Sequence, residues 1–172
     1  MSVICGWASQ SEKHTANGKK GDQTGNEVKT GYYYNFGQTG IIRMKNVSKR
    51  KKAAKAMLAM CQNNNIGYGQ TDRISLYQEC VRIGWDINRI SEIRKCNTDC
   101  SMTVGCAYNF AYKKALIPSS VYTGNLVSLT VHKYPSIFKY VSIGKIKNPS
   151  NDLRVADAPV KAGHHTIMVI SR

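Results

Sequence analysis

The chain has 172 residues, 42% of them hydrophobic, which suits one domain with a real core. Basic residues number 25 against 10 acidic ones, and the net charge of +15 implies a polyanionic partner. Nucleic acid, anionic wall polymers and phospholipid head groups are all polyanions, and charge alone does not choose among them. No apolar run approaches the roughly 20 residues of a membrane span, so membrane insertion is not expected. The start, Met1-Ser2-Val3-Ile4-Cys5-Gly6-Trp7, lacks the basic and long apolar regions of a secretory signal. Synthesis in the cytoplasm follows, and any action outside needs a separate means of release.

Residues 1–40 are rich in Gly, Asn, Gln, Thr and Tyr and read as a loop-rich N-terminal segment. Within it, residues 9–25 form a long loop with turn signals at Asn17-Gly18 and Gly21. Gly21-Asp22-Gln23-Thr24-Gly25 sets two hydrogen-bonding side chains between glycines that let backbone approach a ligand, and a solvated turn explains it equally well. Tyr32-Tyr33-Tyr34, if extended, sends rings to alternating faces, enough to wall a cleft on one side. Residues 41–117 form a helical part. Ile41 to Met44 is a short strand, and Ser48 to Gln62 is a helix with Ala53, Ala54, Met57, Leu58 and Cys61 on one stripe. Its first turn, Lys49-Arg50-Lys51-Lys52, places cations where the helix dipole disfavours them, which suggests an anion nearby or a solvated face. Gly67-Tyr68-Gly69 is a connector presenting a ring. A second helix runs from about Asp72 to Ile83 and stops at Gly84, and residues 87–93 make a short turn or helix.

Asn97-Thr98-Asp99-Cys100-Ser101 then delivers a cysteine to a helix start. Asp99 is a good N-cap, and Cys100 sits where the dipole and unpaired amides favour a thiolate. Val104, Ala107, Tyr108 and Ala111 give that helix one buried face. Inert packing is the commoner role of a lone cysteine at a helix start. Residues 118–172 are mainly strand: Thr123 to Ser142 fits helix or strand, while Phe138 to Ile146 and Val155 to Val160 are strand candidates. Gly163 breaks the chain before Ile167 to Ile170, an apolar buried strand. His165, in phase with Ile167 and Val169, can face the helix, whereas His164 points away. His14 and His132 have no comparable context. The six cysteines are too sparse for a disulfide scaffold, and the spacing of Cys96, Cys100 and Cys106 is not that of a zinc ligand set.

A cysteine with a sequence-distant histidine is the arrangement of a cysteine hydrolase. Asp99-Cys100-Ser101 before a helix and Gly163-His164-His165-Thr166 opening a terminal strand together resemble the NlpC-type cell-wall cysteine peptidases. More narrowly, they look like the catalytic domains of phage and prophage endolysins of low-GC Gram-positive bacteria. Gly21 to Gly25, Ile66-Gly67-Tyr68 and Leu153 to Ile170 carry the likeness over most of the chain.

The resemblance implies one catalytic domain, residues 1–172, with an α+β, papain-like fold in which the nucleophile helix packs on an antiparallel sheet. It implies hydrolysis of an amide bond of bacterial peptidoglycan, with Cys100 as nucleophile and His165 as general base, and with no metal or cofactor. A third polar residue usually orients the imidazole, often from the next strand. With Arg172 directly following the histidine strand, Asp22, Gln23 or Asp157 are the candidates, Gln23 also as an oxyanion donor. Relatives that cut after D-glutamate hold the stem-peptide amine with the residue matching Asp99 and the acyl side with that matching Ser101. Tyr33 and Tyr68 are expected to line the cleft. An N-acetylmuramoyl-L-alanine amidase would use the same dyad. The rivals are a basic nucleic-acid-binding protein with structural cysteines and an inactive interaction module of the same fold. No aromatic-basic or helix-turn-helix signature supports nucleic-acid binding, so peptidoglycan and anionic wall polymers are the expected partners.

Overall fold

The computed structural model describes residues 2–172. The chain runs through β1 (Ile4–Ala8), β2 (Val28–Tyr32), β3 (Gly40–Met44), α1 (Val47–Cys61), β4 (Ile66–Tyr68), α2 (Ile74–Arg82) and β5 (Cys96–Thr98). It continues with α3 (Cys100–Tyr112), β6 (Phe138–Ser142), β7 (Ala158–Lys161), β8 (His165–Thr166) and β9 (Met168–Ser171). Shorter helical turns cover Ile87–Glu92, Ser128–His132 and Pro149–Asp152. Two antiparallel sheets, ordered β2-β1-β9 and β6-β3-β7-β8, and a parallel β4-β5 pair make this an α+β fold.

α3 is the hub. It packs against α1 and α2 and against β1 and β8. Twelve of its thirteen residues, from Cys100 to Ala111, are buried, so the expected single buried face is a helix buried all round. Such burial requires its polar side chains to be satisfied. Asn109 accepts from the Ile117 amide at 2.7 Å and donates to the Ile117 carbonyl at 2.8 Å, and Thr103 donates to the Asp99 carbonyl at 2.7 Å. A second apolar cluster (Val3, Cys5, Trp7, Ile41, Leu153, Ile167 and Val169) joins the two antiparallel sheets.

Residues 1–40 are not simply loops, because β1 and β2 lie among them. β1 is buried on both faces, so its side chains do not alternate in polarity. Gly6 interrupts the apolar run for a packing reason: a Cβ there would lie 2.8 Å from Cys61 Sγ and from Met57 Cγ on α1. The ambiguous stretch from Thr123 divides into a helical segment and β6. Leu126 and Thr130 are both buried at a spacing of four, and Thr130 Oγ1 donates to the Leu126 carbonyl at 2.6 Å. The terminal strand is split at Ile167 into β8, which pairs with β7, and β9, which pairs with β1. That split puts His165 in the β6-β3-β7-β8 sheet, while the residues just after it, from Met168, join the β2-β1-β9 sheet.

Candidate active site

Asp99 leaves β5 and caps α3. Its Oδ1 accepts from the Met102 amide and from Ser101 Oγ, both at 2.7 Å, and its Oδ2 accepts from Arg73 Nη1 at 3.2 Å. Arg73 also donates to the Val121 carbonyl. Thr98 and Thr103 close the turn from behind, with hydroxyls 3.0 Å apart. Cys100 is thereby fixed as the first residue of a rigid helix, and only 7% of it is exposed.

The backbone N–H groups of Thr166, Ser101 and Cys100 itself favour negative charge on the sulfur. Burial opposes them more strongly, and the Asp99 carboxylate adds to the opposition, so the thiol is pushed up to about 12. The lowered thiol pKa expected from the helix dipole is therefore corrected. Desolvation at a buried helix end outweighs the dipole, and the resting group is a neutral thiol.

His165 enters from β8 after a turn in which Gly163 has φ +74° and the His164 amide donates to the Lys161 carbonyl at 3.0 Å. Thr166 Oγ1 anchors the strand on the Pro159 carbonyl at 2.8 Å. The imidazole packs edge-on against Phe36, with centroids 5.1 Å apart, and tilts over Tyr34 at 6.4 Å. Its Nε2 is buried with no hydrogen-bond partner, and burial lowers its pKa below the usual histidine value. No hydrogen bond joins it to Cys100 or to any carboxylate among the described residues.

Cys100 and His165 line one open cavity of about 540 Å³, together with Asp99, Ser101, Tyr68 and His164. Residues that carried no sequence signal for this site also line it: His14, Gln70, Arg73, Tyr122 and Thr123. Arg73 stands in a stretch read only as a helix start, and His14 lies in the long N-terminal loop.

The candidates for a third residue are engaged elsewhere. Asp157 is buried and grips Arg43, with Oδ2 2.6 Å from Nη2 and Oδ1 2.9 Å from Nε. Asp22 organises its own loop: Oδ1 accepts from the amides of Thr24, Gly25 and Asn26, and Oδ2 from those of Glu27 and Val28. Gln23 Nε2 donates to the Gly21 and Lys20 carbonyls, which removes it as an oxyanion donor. Glycines 21 and 25 frame a structural loop rather than a cleft wall. That loop acts on the cleft at one remove, because buried Glu27 receives the Gln23 amide and the Tyr68 amide, both at 2.9 Å. Tyr33 is corrected as well. Its hydroxyl meets Gln38 and its ring joins the second apolar cluster, while Tyr34, on the opposite face, reaches His165.

Cys96 and Cys106 are buried away from the cavity, and among the described residues no three His, Cys, Asp or Glu side chains converge as metal ligands do. Among the described residues, no helix is long and apolar enough to cross a membrane. Of known families, one described as an endolysin-like domain matches residues 5–172. No curated protein matches, and no solved structure does.

Proposed function

This chain belongs to the endolysin-like domain family, and we propose that it is a cysteine peptidase or amidase of bacterial peptidoglycan that acts on the wall after release from the cell. The observation that carries this reading is the convergence of Cys100 and His165 on one open cleft. A nucleophile at the start of a buried helix, beside a strand that carries the histidine, also supports a papain-like layout of the NlpC type.

The neutral thiol and the neutral imidazole set the order of events. As Cys100 Sγ attacks the amide carbonyl, His165 takes the thiol proton, so no free thiolate need form in the resting enzyme. The carbonyl oxygen gains charge at the start of α3, where the unpaired first-turn amides can stabilise it as an oxyanion hole does. The imidazolium then protonates the departing amine, the C–N bond breaks, and a thioester remains. Water, deprotonated by His165, attacks the thioester and releases the carboxylate and the thiol. The Phe36 and Tyr34 rings hold the imidazole in place of a carboxylate.

Cleavage inside the stem peptide is the favoured reaction, because Asp99 and Ser101 lie at the nucleophile as they do in the similar endopeptidases. Digesting purified walls and analysing the new end groups tests it. A new amino group next to D-glutamate is expected, whereas new N-terminal L-alanine alone assigns the amidase. Hydrolysis that survives Cys100→Ala in a folded chain overturns the mechanism.

A further inference from the structure

A second basic feature lies apart from the cleft. Arg50 on α1, Arg154 just before β7, Arg172 and Lys51 line a cavity of about 260 Å³ whose floor is Val47 and Val155. Arg154 also lines an adjoining cavity of about 350 Å³, together with Arg43, Lys139 and Lys145. No residue of either cavity lines the catalytic cleft.

The cluster is short of anions. Asp157 is held by Arg43, and Asp152 Oδ2 is taken by the Lys147 and Asn148 amides, each at 2.8 Å. Arg50 Nε is buried with no partner, the Arg154 guanidinium forms no hydrogen bond among the described residues, and Arg172 Nη1 reaches only the Asn151 and Leu153 carbonyls. Burial and then Arg154 depress the Arg50 pKa; Asp157 opposes them, and Arg43 and Arg172 depress it further, so the net direction is downward. Gathering guanidinium groups in this way is unfavourable unless an anion arrives.

We propose that these arginines form a phosphate site that holds a polyol-phosphate polymer of the wall, so that anchoring and cleavage occupy different faces of one domain. Planar guanidinium forks match phosphate oxygens two at a time, which lysine does not. Two adjoining cavities that share Arg154 suit successive phosphates of a chain. The first cavity has no aromatic side chain, but exposed Tyr140 lines the second, so binding of an oligonucleotide must be compared directly to separate nucleic acid from wall polymer. The wall as the source of the phosphate rests on the hydrolase reading, whereas the phosphate chemistry does not.

The test is calorimetric binding to the full chain carrying Cys100→Ala, which binds without cutting. The probes are inorganic phosphate, poly(glycerol phosphate) and a single-stranded oligonucleotide of equal charge. The polymer is expected to bind best. Arg50→Gln with Arg154→Gln should weaken it at least tenfold, and the exposed Arg154→Gln alone should weaken it by severalfold. Lys95→Gln with Lys114→Gln removes the same charge from other exposed positions and should change binding less than twofold. With Cys100 restored, the arginine pair should slow digestion of whole walls and leave a soluble muropeptide unaffected. Equal losses from both charge pairs, tighter binding of the oligonucleotide, or unchanged polymer binding in the arginine variants each overturn the proposal. Polymer binding that depends on Arg50 and Arg154, in a chain that cleaves no peptidoglycan, supports the site and overturns the hydrolase alone.

Discussion

Arg73 Nη1 stands 3.2 Å from Asp99 Oδ2, so the carboxylate that caps the Cys100 helix already has a cation beside it. A substrate ammonium that uses Asp99 must share it with Arg73. The same carboxylate also restrains Cys100 by disfavouring a thiolate one residue away. One side chain thus caps, pairs and tunes.

Replacing Asp99 separates these roles. Asp99→Ala removes the acceptor for the Met102 amide and should lower the unfolding free energy by about 1 kcal/mol or somewhat more. Asp99→Asn keeps an acceptor and should cost less. It should also raise KM for amine-bearing stem peptides more than for strands whose L-alanine remains acylated. Denaturant titration and kinetics on the two substrates give both answers, and equal KM changes would remove Asp99 from amine recognition.

Cys100 should be a slow thiol in the free protein. With its pKa pushed to about 12, iodoacetamide labelling at pH 7.5 should lag well behind free cysteine and rise about tenfold per pH unit with no plateau up to at least pH 10. Labelling followed by peptide mass analysis reads each of the six cysteines. Rapid neutral-pH labelling of Cys100 alone would mean that a thiolate is present at rest.

His165 must be neutral to accept the thiol proton, and burial shifts its titration below the usual value of 6.5. The acid limb of kcat/KM should therefore fall below pH 6.5, with a plateau across neutral pH. His165→Ala should cost on the order of 100- to 10,000-fold in rate, as loss of a general base does. His164→Ala, an exposed neighbour, should cost little. The reverse ranking moves the base to His164.

Asp157 is expected to matter for folding alone. Asp157→Ala leaves the mostly buried Arg43 guanidinium uncompensated and should destabilise by about 3–5 kcal/mol. Activity per folded molecule should stay within about twofold of the parent chain. Lost turnover at unchanged stability would return Asp157 to the catalytic group.

Glu79 links acidity to stability. Its hydrogen bonds with Arg94 and Arg82 hold it near 2, against an ordinary 4.5. The folded-state value is depressed, so the stabilisation is complete above pH 4.5 and is lost as pH falls toward 2. The shift corresponds to at most about 3 kcal/mol, reduced by the solvent around Arg94, which is 71% exposed. Glu79→Gln should flatten the stability–pH curve across that window, measured by denaturation at each pH.

Short-range physics made part of this molecule legible from residues alone. The Asp99 cap and α1 follow from spacing and side-chain chemistry, and the structure has both; His164, expected to point away, lines the same cleft as His165. β1 escaped because burial on both faces erases alternation and because Gly6 serves a distant contact with α1. The third-residue candidates failed for a related reason. A carboxylate is visible in a sequence, but its partner is not, and Arg43 lies 114 positions from Asp157. Arg73 and His14 reach the cleft through loops whose paths depend on tertiary contacts. The thiol's character depended on how deeply the surrounding chain buries it, which no local pattern reports.

The pairing of β1 with β9 bears on when the proposed activity can first arise during synthesis. Residues 4–6 have no partners on that side until residues 168–171 exist, and β8 hangs between that seam and β7. A ribosome that has translated 160 codons has made the Cys100 helix, the Arg73–Asp99 pair and the Phe36 and Tyr34 rings, but not the proton acceptor they await. Contacts of such long sequence separation form late and slowly. Under the proposed mechanism, a growing chain stays silent until residues 165–171 have folded against β7 and β1.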